Sequence, residues 1–240
     1  MSNAHILFLS TEQMREVDRV MVEDYHTELL QMMENAGRNL ADLARGRFLH
    51  GNPDGRAVVA LAGSGGNGGG ALVCARRLAN WRVDIRVYLT RPANSMARVL
   101  AHQLDIPRHL GVPAVPAEMA GDARGGDLVI GRIVGYSLSG APRGAAADLI
   151  LWANAQRMPV LALDVPSELD GTTGDAYDPC IQATATMTPA LANLGLRDPR
   201  ARPYVGELYL ADISVPPQLY ASLGLHVGVL FAEQDVVRLW

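Results

Sequence analysis

The stretch Arg56–Leu78, RAVVALAGSGGNGGGALVCARRL, constrains this chain more than any other. An apolar run of strand length ends at Gly63, six of the ten residues Leu61–Gly70 are glycine, and a helical pattern follows. A run that is apolar on every side suits a strand buried on both faces, as in a parallel sheet covered by helices. A glycine loop that closes directly into a helix makes a sharp turn whose backbone N–H groups approach an anion.

The remaining pattern repeats this unit. Met14, Val17, Val20 and Met21, then Leu29, Leu30, Met33 and Leu40, recur at helical spacing, so Ser10–Leu43 is expected to be helical. Ser10 or Thr11 is the expected N-cap, with Gln13 as capping-box partner of Ser10. After the 57–63 strand the chain reads helix (Gly69–Trp81), strand (VDIRVYL), helix (MARVLAHQLDIP), strand (DLVIGRIV), helix (GAAADLILWANA) and strand (PVLALDVP), with CIQATATMT and GELYLADIS as two further strands. Such alternation predicts one α/β domain over 1–240, a Rossmann-like three-layer sandwich with a mainly parallel sheet, helices on both faces and an N-terminal helical extension. Ser2-Asn3-Ala4 reads as a cloning scar and is left out. In such folds ligands bind beyond the carboxyl ends of the strands, which selects Gly63–Gly70, Gly131–Gly144, Asp164–Asp170 and Thr184–Thr188.

Composition removes several chemistries. All 21 Lys+Arg residues are arginine, so no P-loop lysine, Schiff-base lysine or lysine general base exists. A net charge of -4 gives no electrostatic reason to expect nucleic acid or an anionic membrane as partner. No apolar run approaches the roughly 20 residues of a membrane helix. Two cysteines, Cys74 and Cys180, without a CxxC pair, fit a reduced, cytoplasmic protein.

Gly63, Gly65 and Gly68 satisfy G-x-G-x-x-G in the strand-to-helix context of dinucleotide binding. The acid that should end the next strand is missing: Arg91 stands there, and Asp84 lies at the strand's start. Arg91 could instead favour a 2′-phosphate, as in an NADP-dependent dehydrogenase, and a tight turn without ligand also accounts for the glycines. Ser167 lacks a nucleophile elbow, since Val165 and Leu169 stand where its glycines belong. Asp164 reads either as a general acid or base or as a residue capping the turn after its strand.

Together these segments resemble the NAD(P)H-hydrate epimerases, the YjeF N-terminal domains. LSTEQMREVDRVMVEDYHTELLQMMENAG is similar to their N-terminal helices, and the glycine loop to G-P-G-N-N-G-G-D-G-L-V-A-A-R-x-L. DLVIGRIVGYSLSGAPRGAAADLI resembles D-L-I-V-D-A-L-L-G-x-G-L-x-G-x-P-R-G, and LALDVPSELDGTTGD resembles D-[IV]-P-S-G-L-D-x-x-x-G. The resemblance implies interconversion of the R and S hydrates of NADH and NADPH, a nucleotide ligand, a separate dehydratase as functional partner, potassium beside the site, and a possible homodimer. It implies a substrate-binding set of Gly65, Gly66, Asn67, Gly68, Gly69, Gly70, Gly135, Ser139, Gly140, Arg143, Gly144 and Asp164. Asp164 is the expected catalytic group, and Asn67 and Ser167 are the expected potassium ligands.

Departures from the pattern gather at that site. Gly70 and Gly131 stand where the family has aspartates, the latter a potassium ligand; Gly66 replaces an asparagine, Ser137 a glycine and Glu168 the glycine after the serine. The family's lysine after its T-V-T-F strand is absent, with Pro189–Asn193 in its region. Losing carboxylates weakens a site for a hard cation. Two classes of function follow: an epimerase, or a binding or scaffold domain that keeps the pocket without turnover.

Overall fold

The computed structural model describes residues 6–122, 125–133 and 140–240. The elements, in order, are β1 (Phe8–Leu9), α1 (Thr11–Glu23), α2 (Leu29–Leu43), β2 (Ala57–Ala62), α3 (Gly66–Asn80), β3 (Asp84–Leu89), α4 (Arg98–His109), β4 (Ala114–Pro116), β5 (Leu128–Arg132), α5 (Ala145–Ala155), β6 (Val160–Leu163), β7 (Ala185–Pro189), β8 (Ala192–Asn193), α6 (Arg202–Val205), β9 (Glu207–Ala211), α7 (Pro217–Ser222) and β10 (Val236–Arg238). Eight strands form one sheet in the order β10-β9-β7-β6-β5-β2-β3-β4. Every neighbouring pair is parallel except β10 against β9. The expected α/β architecture is what the chain adopts.

Alternation along each strand separates two cores. Val58, Ala60, Val87 and Ile130 face Leu40, Leu72, Leu78 and Leu100, from α2, α3 and α4. Val59, Leu61 and Val129 face Leu149, Ile150 and Ala153 of α5. Helices therefore cover both faces, and burying both removes the alternating polar positions that a one-sided sheet would show. No helix among the described residues is long and apolar enough to cross a membrane.

The helical N-terminal stretch is two helices, α1 and α2, separated at Asp24–Glu28. Ser10 caps α1 as the sequence implies: its Oγ accepts from the Gln13 amide at 3.2 Å, and the Gln13 carboxamide oxygen accepts from the Ser10 amide at 2.8 Å. α2 lies so close to α3 that the glycines at the crossing have little room for a side chain. A β-carbon on Gly37 would fall on Val73 and within 2.6 Å of the Gly70 carbonyl oxygen. One on Gly69 would run into the Met33 thioether.

The chain leaves β2 toward β3 and β4, then returns to the other side of β2 with β5. The carboxyl ends of β2 and β5 thus flank a topological switch point, where open α/β sheets bind ligands. The two ends are tied by a hydrogen bond from the Gly63 amide to the Arg132 carbonyl, 2.9 Å.

Candidate functional site

A cavity of about 760 Å³ opens at this switch point, within the size range of small-molecule sites. The α3 N-terminus supplies Gly65 to Gly68 and Gly70, and the α5 N-terminus supplies Ala145 and Ala146. Arg91, just beyond β3, and Arg143 add two cationic side chains. Helix N-termini expose unpaired N–H groups and carry partial positive charge, so this wall is electrostatically suited to an anion. Asp84 sits at the far end of β3, so among the described residues no acidic side chain ends that strand to hold a ribose in the manner of a dehydrogenase.

α3 begins at Gly66, three residues earlier than glycine's poor helix propensity suggests. The reason is packing. A β-carbon on Gly68 would strike the Gly63 carbonyl oxygen, and one on Gly70 would come within 2.8 Å of Leu163 Cδ2. Of the glycines in this loop, Gly65 and Gly66 alone face open space. The loop's glycines therefore serve two ends, close packing at 68–70 and backbone access for a ligand at 65 and 66. Gly140 and Gly144 have φ of 129° and 55°, a left-handed backbone that favours glycine, in the turn leading into α5. Gly135, Ser137 and Ser139, like Met1–His5, lie outside the described residues.

Asp164 follows β6 with φ of 72° and is wholly buried. Four donors converge on its carboxylate. Asn67 Nδ2 reaches Oδ2 at 2.8 Å, Asn193 Nδ2 and Thr188 Oγ1 reach Oδ1 at 3.2 and 3.4 Å, and the Arg132 guanidinium pairs with Oδ2. The ion pair is secluded, with the Arg132 side chain 4% and the Asp164 side chain 1% exposed. Arg132 and Asn67 line the cavity, and among the described residues Asp164 and Ser167 do not. Asp164 stands behind the two side chains that it orients. Asn193 comes from the segment where the family pattern would place a lysine.

The two potassium ligands implied by resemblance each make a hydrogen bond within the protein. Asn67 turns its amide N–H to Asp164, and Ser167 Oγ accepts from the Ile133 amide at 2.9 Å. Gly131 has φ of 125°, and a β-carbon there would fall on the Leu61 carbonyl oxygen of the paired strand, so a carboxylate has no room at that position. The Arg132 guanidinium already lies against the carboxylate. A second cation within about 4 Å of it would meet repulsion of about 4 kcal/mol at an effective dielectric near 20. This donor set does not fit a potassium ion.

Two titratable groups stand out. Asp18, on α1, lines the cavity, and its carboxyl is pushed from 3.8 up to about 7, first by burial and then by the negative charge of Asp164. Glu168, with φ of 72° where the family pattern has glycine, is buried with Oε2 lacking a hydrogen-bond partner among the described residues. Burial raises it to about 6, opposed by the Arg132 charge. Sequence reasoning missed Asp18 although the signal was present. Met14, Val17, Asp18 and Met21 occupy i, i+3, i+4 and i+7, so one charge lies in the buried stripe of an amphipathic helix.

The family model described as "YjeF-related protein N-terminus" matches residues 29–195. The chain belongs to this family. It is 40% identical over 215 residues to an NAD(P)H-hydrate epimerase of Dehalogenimonas lykanthroporepellens, covering 88% of this chain and 84% of that one. It is 33% identical over 217 residues to an NAD(P)H-hydrate epimerase of Truepera radiovictrix, covering 90% and 94%. A bifunctional NAD(P)H-hydrate repair enzyme, Nnr, of Moorella thermoacetica is 30% identical over 89% of this chain, which spans 42% of its length. The crystal structure of yeast ynu0, YNL200c, shares the fold with a TM-score of 0.79 over 98% of this chain and all of that one, at 19% identity.

Proposed function

We propose that this protein is an NAD(P)H-hydrate epimerase, an isomerase that interconverts the R and S hydrates of NADH and NADPH. The observation that carries the reading is a single cavity joining a rim suited to anions to a wall bearing a carboxyl poised near neutral pH. On the rim, the N-termini of α3 and α5 with Arg91 and Arg143 take the phosphates. On the wall, Asp18 faces the space where the hydrated ring would lie, in the same cavity as Arg132 and Asn67.

The reaction needs no oxidant. The ring C–O bond breaks as Asp18 gives its proton to the departing oxygen, which leaves as water. Water then adds to the opposite face of the cationic ring and returns the proton to Asp18. A group with pKa near the working pH suits both halves of such a step. Asp164 is a positioning residue here, fixing Arg132 and Asn67 in the cavity wall.

This reading includes a nucleotide ligand and a separate dehydratase that consumes one epimer. It is tested with the purified R hydrate of NADPH and excess S-specific dehydratase, following the return of nicotinamide absorbance. Recovery well above the spontaneous rate, abolished by Asp18→Asn, is the expected result. A second reading, a nucleotide-binding domain without turnover, is favoured by the engagement of Asp164 with four donors. Saturable nucleotide binding with no recovery above background would establish it in place of the first.

A further inference from the structure

We propose that Arg132 is the resident cation of this site, its guanidinium occupying the role that family resemblance gives to potassium, so that the protein works without a monovalent ion. Three departures from the family pattern meet at this spot, and they compensate one another. Gly131 lacks a carboxylate and has no room for one. The adjacent Arg132 turns its guanidinium onto Asp164. Glu168 brings a buried carboxylate to the neighbouring turn, where the charge of Arg132 acts on it. The two turns are joined by the hydrogen bond from the Ile133 amide to Ser167 Oγ, 2.9 Å.

The charges balance in both arrangements. At positions 131 and 164 the family pattern sets two aspartates about one potassium ion; around the same point this chain has Asp164, Glu168 and one guanidinium. Arginine suits the exchange because it is always charged, donates through a rigid planar fork and is weakly hydrated, which makes it the preferred cation for buried pairs. Potassium requires several oxygen ligands converging on one point, whereas the donors here converge on a carboxylate. A bound ion that exchanges with solvent has thus become a side chain that cannot leave.

The inference rests on the reading above only for the identity of the site, and its test needs neither ligand nor turnover. The intact chain is melted in the chlorides of potassium, sodium and N-methyl-D-glucamine at one ionic strength. The three midpoints are expected to agree within about 1 °C, whereas a well-filled potassium site raises a midpoint by about 5 °C or more. Arg132→Ala is expected to melt lower and to recover part of the loss in potassium but not in N-methyl-D-glucamine. A parent midpoint raised specifically by potassium overturns the proposal, as does an Arg132→Ala protein indifferent to the salt. Where Arg132→Ala does not fold, Arg132→Lys replaces it and is expected to remain indifferent; potassium-specific stabilisation of that variant overturns the proposal. Failure of the epimerase assay leaves these melts unchanged, so the two ideas fail separately.

Discussion

Gly131→Ala tests the geometry at the switch point directly. Gly131 pairs with Leu61 on β2 and Ala162 on β6, so it is held from both sides and the backbone has little freedom to adjust. Its φ of 125° lies where side chains are rarely tolerated, a strain of about 2 kcal/mol. The new β-carbon would also sit 3.0 Å from the Leu61 carbonyl carbon and 3.2 Å from its nitrogen, with the carbonyl oxygen closer still. Relieving that overlap by moving strands in a packed sheet costs about 2 kcal/mol more. The sum, about 4 kcal/mol, lowers the melting midpoint by about 8–16 °C for a chain of this length. Circular dichroism melts of the parent, Gly131→Ala and Gly66→Ala supply the comparison. Gly66 lies in the first turn of α3 with open space around it, and alanine there should be neutral or stabilising by up to about 1 kcal/mol. A Gly131→Ala midpoint within about 3 °C of the parent would refute the reasoning. Gly131→Asp carries the same β-carbon and should fare no better, so restoring the family's aspartate does not restore its site.

Asp18 makes stability depend on pH with a definite sign. Its folded pKa is raised, so between about pH 4 and pH 7 the folded state holds a proton that the unfolded state has lost, and stability falls as pH rises through that window. Asp18→Asn should match the parent near pH 4 and exceed it above pH 7 in urea midpoint; a gap independent of pH would contradict the assignment. The same variant should lose about 100-fold or more in turnover. Asp164→Asn should move stability the opposite way, by about 3 kcal/mol at neutral pH, because it leaves the buried Arg132 charge unpaired; equilibrium denaturation reads this, and a neutral substitution would show that the pair is not sequestered. Arg143→Ala should weaken nucleotide binding about fivefold, an effect of about 1 kcal/mol that shrinks with added salt; calorimetric titration at two ionic strengths shows whether it does.

β2, β5 and β6 were legible because each opens as an apolar run ended by glycine or a polar turn, and strand-helix alternation leaves few topologies open. The edges were not. β4 is Ala-Val-Pro and β10 is Val-Val-Arg, three residues each, too short for any periodicity to show. β1 and β8 are two residues each and exist only because distant segments meet. The α3 boundary shifted because tertiary contact outweighed glycine's local preference. At the site, the resemblance points to Asn67, Asp164 and Ser167, of which Asn67 lines the cavity and the other two lie behind it, and it says nothing of the arginine beside Gly131. Nothing in single-sequence patterning says that Arg132 turns onto Asp164, since that pairing depends on the parallel register of β5 against β6. Asp18 could have been found, because a charge within an apolar helical stripe needs an explanation.

The crossing of α2 and α3 also bears on how this sequence can change over generations. A β-carbon on Gly69 meets only the flexible end of Met33, whereas one on Gly37 meets Val73 Cβ and the Gly70 carbonyl oxygen, neither of which a smaller neighbour removes. A deep mutational scan of the pair should therefore tolerate Gly69→Ala and reject Gly37→Ala even beside Val73→Ala. The two helices beneath the candidate site are thus locked to one another through a single position.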